Sequence, residues 1–209
     1  MNLCEDEDLQ VRRTALLAIN SLAHHHPSVI LPHASSLVEI LYREMSVKSE
    51  LMRKVDLGPF KHTIDDGLPL RKASFACMST FIDTIPHEVN VVDFLPYLSK
   101  GLSDVNDVQM MCHQIVSQLC SWAPVIILAN VSTLLNPLTT AINKTVKEKK
   151  NTDVDRTNDV IRSAVRALFT IAAIPEASQE PSIQDLCDRI QAKPHIAAML
   201  EAENLIRKR

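Results

Sequence analysis

The chain has 209 residues, 46% of them hydrophobic, with three glycines and 4% aromatics, a profile that suits helices packed on helices through Leu, Ile, Val and Ala. Its formal net charge of −3 provides no global field for nucleic acid or for an acidic membrane. The five cysteines (Cys4, Cys77, Cys112, Cys120 and Cys187) form an odd set without a Cys-x-x-Cys pair, which fits reduced thiols in cytoplasm or nucleus. The start, Glu5-Asp6-Glu7-Asp8, is the opposite of a basic leader, and the apolar run Val125 to Ala129 is far too short to span a bilayer.

In chain order, a first helix is predicted from Asp6 to Ala23, with Leu9, Leu16, Ile19 and Leu22 on one broad face and acids at its positive end. His24-His25-His26-Pro27 closes it. A second helix runs from Ser28 to Met45, with Pro32 tolerated near its first turn. A third starts at Asp66 as N-cap, has Pro69 in its first turn, and continues through Phe75, Met78, Phe81 and Ile82 to Pro86. A fourth covers Val91 to Leu102 and a fifth Asp104 to Trp122. The sixth, Val125 to Val146, should kink or break at Pro137. Lys147 to Thr157 reads as an exposed loop. A seventh helix, Asn158 to Ile174, turns Ile161, Val165, Leu168 and Ile171 inward, and Ser182–Ala192 and Pro194–Ile206 close the chain.

One stretch, residues 53–64, breaks this helical pattern. Gly58-Pro59 is a turn signal, with Gly supplying positive φ at the first central position of a type II′ turn. A two-residue turn fixes the register: Leu57 opposite Phe60, Asp56 opposite Lys61, Val55 opposite His62, Lys54 opposite Thr63. Alternation then gathers Val55, Leu57, Phe60, His62 and Ile64 on one mostly apolar face, with Asp56 and Lys61 paired on the other. A lone two-stranded hairpin is marginal in water, so it needs its own helices or a partner to lie on.

The helices share a local pattern: an acid, a short gap, then an aliphatic residue followed by a polar one. Its instances are Asp8 with Val11-Arg12, Asp66 with Leu70-Arg71, Asp104 with Val108-Gln109, and Asp159 with Ile161-Arg162. The polar anchors at 12, 71, 109 and 162 stand 59, 38 and 53 residues apart. The middle spacing is near the HEAT period of about 40, and the excesses fall at the hairpin and at Lys147–Thr157. The fold expected is therefore all-α, a HEAT-repeat α-solenoid with a short inserted β-hairpin. The anchor arginines are expected to reach acids in a neighbouring repeat and form a ladder.

Chemistry finds little support. His24, His25 and His26 cannot share one helix face, and no Cys or carboxylate joins them and His33 at ligand spacing, so no metal or other cofactor is expected. Asp107 and Cys112-His113 lack an oxyanion site, and Cys112 reads as core, so no enzyme is expected. Lys144, Lys147, Lys149 and Lys150 lack interleaved aromatics and are offset by Glu148, Asp153 and Asp155, which argues against nucleic acid. Trp122, the only tryptophan, reads as a core anchor.

The run Gly58 to Ala73, Gly-Pro-Phe-Lys-His-Thr-Ile-Asp-Asp-Gly-Leu-x-Leu-Arg-Lys-Ala, resembles the C-terminal region of the cullin-associated, neddylation-dissociated family, also called TATA-binding-protein-interacting. The likeness extends more weakly through Phe94-Leu95, Gly101-Leu102-x-Asp104, Pro137-Leu138, Arg162-Ser163-Ala164-x-Arg166-Ala167 and Ile174-Pro175-Glu176-Ala177. The resemblance implies a segment of a longer HEAT solenoid that wraps an unneddylated cullin and its RING subunit. It also implies a hairpin that blocks the cullin site of the substrate-adaptor subunit. Only the last few repeats of such a solenoid are present, so the chain is expected to be a fragment or one piece of a divided factor, the latter with a separate N-terminal piece as partner, and the reduced cysteines place it in cytoplasm and nucleus. The binding residues so implied are Lys54, Val55, Leu57, Gly58, Pro59, Phe60, Lys61, His62, Thr63, Ile64, Asp65 and Asp66. The alternative is a generic HEAT scaffold or a module that binds the TATA-binding protein, with the hairpin as packed filler.

Overall fold

The computed structural model describes residues 2–58, 60–144 and 151–202. It is an all-α fold carrying, among the described residues, one small antiparallel sheet. The chain forms two compact units, residues 1–97 and 98–209.

In the first unit, helix α1 spans Leu9–His25, and the Asp8 side chain caps it by accepting the Gln10 N–H at 2.7 Å. The expected second helix is divided into α2 (Pro27–Ile30), a 3-10 turn (Leu31–His33) and α3 (Ala34–Met45). Pro32 sits inside that turn, where it has no N–H to continue an α-ladder. Strands β1 (Met52–Leu57) and β2 (Phe60–Asp65) follow, then α4 (Leu68–Thr84). Helix α4 packs against both α1 and α3. It buries Leu70, Phe75, Met78 and Phe81. The stripe expected on α1 is only partly inward: Leu16 is buried, Leu9 and Ile19 are half-buried and Leu22 is exposed.

Buried among these helices is Glu44, 1% exposed. Its carboxylate meets Lys48 Nζ at 2.7 Å, Arg12 Nη1 at 3.3 Å and Arg43 Nε at 3.4 Å. Three cations around one buried acid offset its desolvation.

Helix α5 (Val91–Gly101) carries the chain into the second unit. There α6 (Asn106–Trp122), α7 (Pro124–Ala129), α8 (Val131–Ile142) and α9 (Asn151–Ala172) repeat the packing scheme of the first, with α9 against both α6 and α8. Helices α10 (Pro181–Gln191) and α11 (Pro194–Ala202) complete it. The inward residues predicted for α9, Ile161, Val165, Leu168 and Ile171, are all buried.

Two expectations for the second unit are corrected. The break in the sixth predicted helix lies at Asn130, not at Pro137. Asn130 closes α7 with its side-chain amide, which donates to the Ile126 carbonyl at 2.9 Å. Pro137 stays inside α8, and the Thr133 carbonyl one turn before it accepts the Ser99 hydroxyl at 3.1 Å instead of a backbone N–H. The loop expected at Lys147–Thr157 is helical from Asn151 onward, because Val154, Asn158 and Ile161 continue the inward stripe of α9 at helical spacing; Lys147 to Lys150 lie outside the described residues.

Trp122, expected in the core, stands at the last turn of α6 and is 36% exposed. Lys144 is half-buried, donating to Asn106 Oδ1 at 2.9 Å and Gln109 Oε1 at 2.5 Å.

Candidate functional site

The hairpin has the register its turn dictates. Leu57 pairs with Phe60, Asp56 with Lys61, Val55 with His62, Lys54 with Thr63, Arg53 with Ile64 and Met52 with Asp65. Gly58 has φ +67°, and a Cβ there would meet nothing within 4 Å, so only backbone conformation demands glycine. Pro59 lies outside the described residues, and for Leu57, Phe60 and Lys61 the structure describes backbone alone.

Both faces of the hairpin are open to solvent among the described side chains. Val55 is half-buried, while His62 and Ile64 on the same face are exposed. Lys54, Asp56 and Thr63 on the other face are exposed too. What distinguishes this element is its root. Asp65, the last residue of β2, reaches Arg71 on α4 with a 2.8 Å contact between Oδ2 and Nη2. Its other oxygen accepts the Gly67 N–H at 3.0 Å. Arg71 is 1% exposed, so the guanidinium belongs to the core of the first unit.

Asp66 does not cap α4; the N-cap position is Gly67, and Asp66 turns back to the hairpin. Arg53 grips it with two parallel bonds, Nε to Oδ2 at 2.5 Å and Nη2 to Oδ1 at 3.1 Å. The hydrogen bond from Arg53 holds the Asp66 carboxyl below its usual range. The backbone N–H of Asp66 donates to the Leu51 carbonyl at 3.0 Å. Asp65 and Asp66, expected to face a partner, thus already have partners within the chain. Arg53 escaped the sequence reading, although the register that sets residue 53 opposite 64 brings it within reach of 66.

The other anchors of the shared pattern also have local contacts. Arg12 meets Glu44 on α3, Arg162 meets Asp159 on its own helix at 2.9 Å, and Gln109 donates to the Leu102 carbonyl at 3.0 Å.

The Cys112–His113 pair is not poised for chemistry. Burial pushes the Cys112 thiol well above its usual pKa. His113 is 1% exposed, and burial, with a smaller contribution from Lys144, lowers it to about 4. Its Nδ1 lies 2.8 Å from Ser163 Oγ, whose own proton goes to the Val160 carbonyl at 2.9 Å. Nδ1 therefore carries the proton, and Nε2 is a buried acceptor without a partner among the described residues. A neutral imidazole beside a neutral thiol gives no activated nucleophile. Among the described residues no group of three His, Cys, Asp or Glu could hold a metal ion, and no helix is long and apolar enough to cross a membrane.

Comparison with known proteins places this architecture. The family described as "TATA-binding protein interacting (TIP20)" matches residues 29–191. The chain is 32% identical over 203 residues to "Cullin-associated NEDD8-dissociated protein 2" of Rattus norvegicus, covering 97% of this chain and 16% of that protein. It is 42% identical over 178 residues to "Cullin-associated NEDD8-dissociated protein 1" of Arabidopsis thaliana, covering 82% of this chain and 14% of the relative. A third relative, "Cullin-associated NEDD8-dissociated protein 1, C-terminal part" of Emericella nidulans, is 34% identical over 124 residues, 59% of this chain and 12% of its own length. The chain thus spans about one-sixth or less of the relatives it matches. With the family match covering most of its length, the chain belongs to the TATA-binding-protein-interacting family and corresponds to the C-terminal region of the cullin-associated NEDD8-dissociated proteins.

Proposed function

We propose that this chain is the cullin-binding segment of an assembly and exchange factor for cullin-RING ubiquitin ligases, and that its hairpin occupies the cullin site used by the substrate-adaptor subunit. The observation that carries this reading is a hairpin whose described side chains, Val55 apart, are exposed on both faces, yet which is tied at its root to a buried arginine. The names of the relatives, which are cullin-associated and NEDD8-dissociated, support the choice of partner. Leu57 and Phe60, which face each other beside the turn, would supply the apolar contact, and Lys54, Lys61 and His62 the polar ones. The repeated packing of α4 on α1 and α3, and of α9 on α6 and α8, supports a HEAT-type array as the scaffold.

The relatives' greater length supports further partners: the RING subunit, held by upstream repeats, and a separate N-terminal piece of the same factor. Wrapping of that kind is multivalent, so this segment alone binds more weakly than the whole factor. Five buried free cysteines fit a reducing compartment, cytoplasm and nucleus. The family's description favours a second reading, in which the same surface binds the TATA-binding protein.

The test is capture of unneddylated cullin by this chain, with and without the adaptor subunit. Capture that the adaptor competes away supports the reading. Capture that the adaptor leaves unchanged contradicts the shared site. No capture even with upstream repeats added in trans contradicts cullin binding.

A further inference from the structure

Resting on the reading of the hairpin as the partner-binding element, we infer that Arg53 and Arg71 are positioning residues that hold it preformed and at a fixed angle to α4, so that its partner is one with a preformed groove that accepts a rigid finger. A two-stranded ladder does not hold itself in water. Here the described side chains of both faces are exposed except Val55, which is half-buried, so those side chains contribute little apolar burial. The order comes from the root. Arg53, on β1, reaches past the end of β2 to Asp66 and closes the open end of the hairpin with a fork of two bonds. Asp65 then staples β2 to the first turn of α4, one oxygen on the Gly67 N–H and the other on Arg71. The Asp66 N–H to Leu51 carbonyl bond holds the strand that enters β1 against the chain that leaves β2.

This root has little slack. A Cβ at Gly67 would stand 3.1 Å from Leu51 Cδ1 and 3.3 Å from Asp65 Oδ1. Arg71 in turn is fixed by the core around it, since Leu70, Ala73, Ser74 and Phe75 are also buried. The frame that sets the hairpin is therefore the interior of the first unit, not the surface. A finger presented in its bound shape avoids the ordering cost that a floppy loop meets on binding.

Amide hydrogen exchange followed by NMR on the whole chain tests this without any partner. Arg53→Ala lies at an exposed site and should leave the fold intact. It should speed exchange of the β1 and β2 ladder amides on the order of tenfold while amides in the middle of α4 stay unchanged. The charge swap Arg53→Asp with Asp66→Arg should restore protection to within about twofold, a rescue that general stabilisation does not explain. Arg71→Met, which roughly keeps the volume and removes the guanidinium that Asp65 reaches, should speed the same ladder more. Unchanged ladder exchange in Arg53→Ala, equal acceleration of hairpin and helix amides, or a swap that fails to rescue would each overturn the inference. Because the readout needs no cullin, its failure is distinct from a failure of cullin capture.

Discussion

The Asp65 carboxylate lies 2.8 Å from the Arg71 guanidinium, which is only 1% exposed, so the base of an exposed hairpin is bonded to the protein core. Removing one member of a buried ion pair leaves the other charge without its counterpart. Asp65→Ala should therefore destabilise the first unit by about 3 kcal/mol, the low end for such pairs because Asp65 itself is partly exposed. Urea unfolding should show a lower midpoint with little change in slope. Asp66→Ala, which removes the exposed pair with Arg53, should shift the midpoint far less, since water and salt screen that contact.

Glu44 presents the same physics on the opposite side of the charge balance. Three cations converge on a carboxylate that is 1% exposed. Glu44→Ala should cost about 3–5 kcal/mol, while Arg43→Ala, which removes the most exposed of the three cations, should cost about 1 kcal/mol or less. Thermal unfolding of the two variants separates them, and equal shifts would contradict the assignment of Glu44 as the hub.

His113 sets a pH dependence in the second unit. Burial lowers its folded pKa to about 4, against an ordinary value of about 6.5 when unfolded. Between those values the unfolded chain binds a proton that the folded chain refuses. The stabilisation is thus complete above about pH 6.5 and is lost as pH falls toward about 4, in total about 3 kcal/mol. Lys144, bonded to Asn106 and Gln109, lowers the imidazole pKa further. His113→Gln should flatten stability across that window, as measured by urea midpoints at stepped pH. A variant with the same pH slope as the parent would contradict the account.

The hairpin was legible because its register is set locally. Gly58-Pro59 dictates which residues pair, and the pairs from Leu57–Phe60 to Lys54–Thr63 follow by counting. The long helices were legible from their 3.6-residue stripes, as Phe75, Met78 and Phe81 on α4 illustrate. The root was not, because Asp66 in front of Pro69 has every mark of an N-cap, and only the folded register offers it Arg53 as a stronger partner. Pro137 misled for a related reason. A proline inside a helix frees a carbonyl, and whether the helix breaks depends on a donor elsewhere, here Ser99, that local sequence does not reveal. The start of α9 was hidden by composition: a polar run reads as loop until Val154 is seen to share a face with Ile161.

The central claim is that the hairpin is the cullin-binding element, and the affinity of the Phe60→Ala variant for unneddylated cullin tests it most directly. Calorimetric titration against the parent chain, with hairpin and helix amide exchange confirmed unchanged, should show a loss of about 2–4 kcal/mol, the cost of truncating an apolar anchor at the centre of an interface. Equal affinities for the parent and for Phe60→Ala would contradict the claim and return the hairpin to the role of a surface insertion.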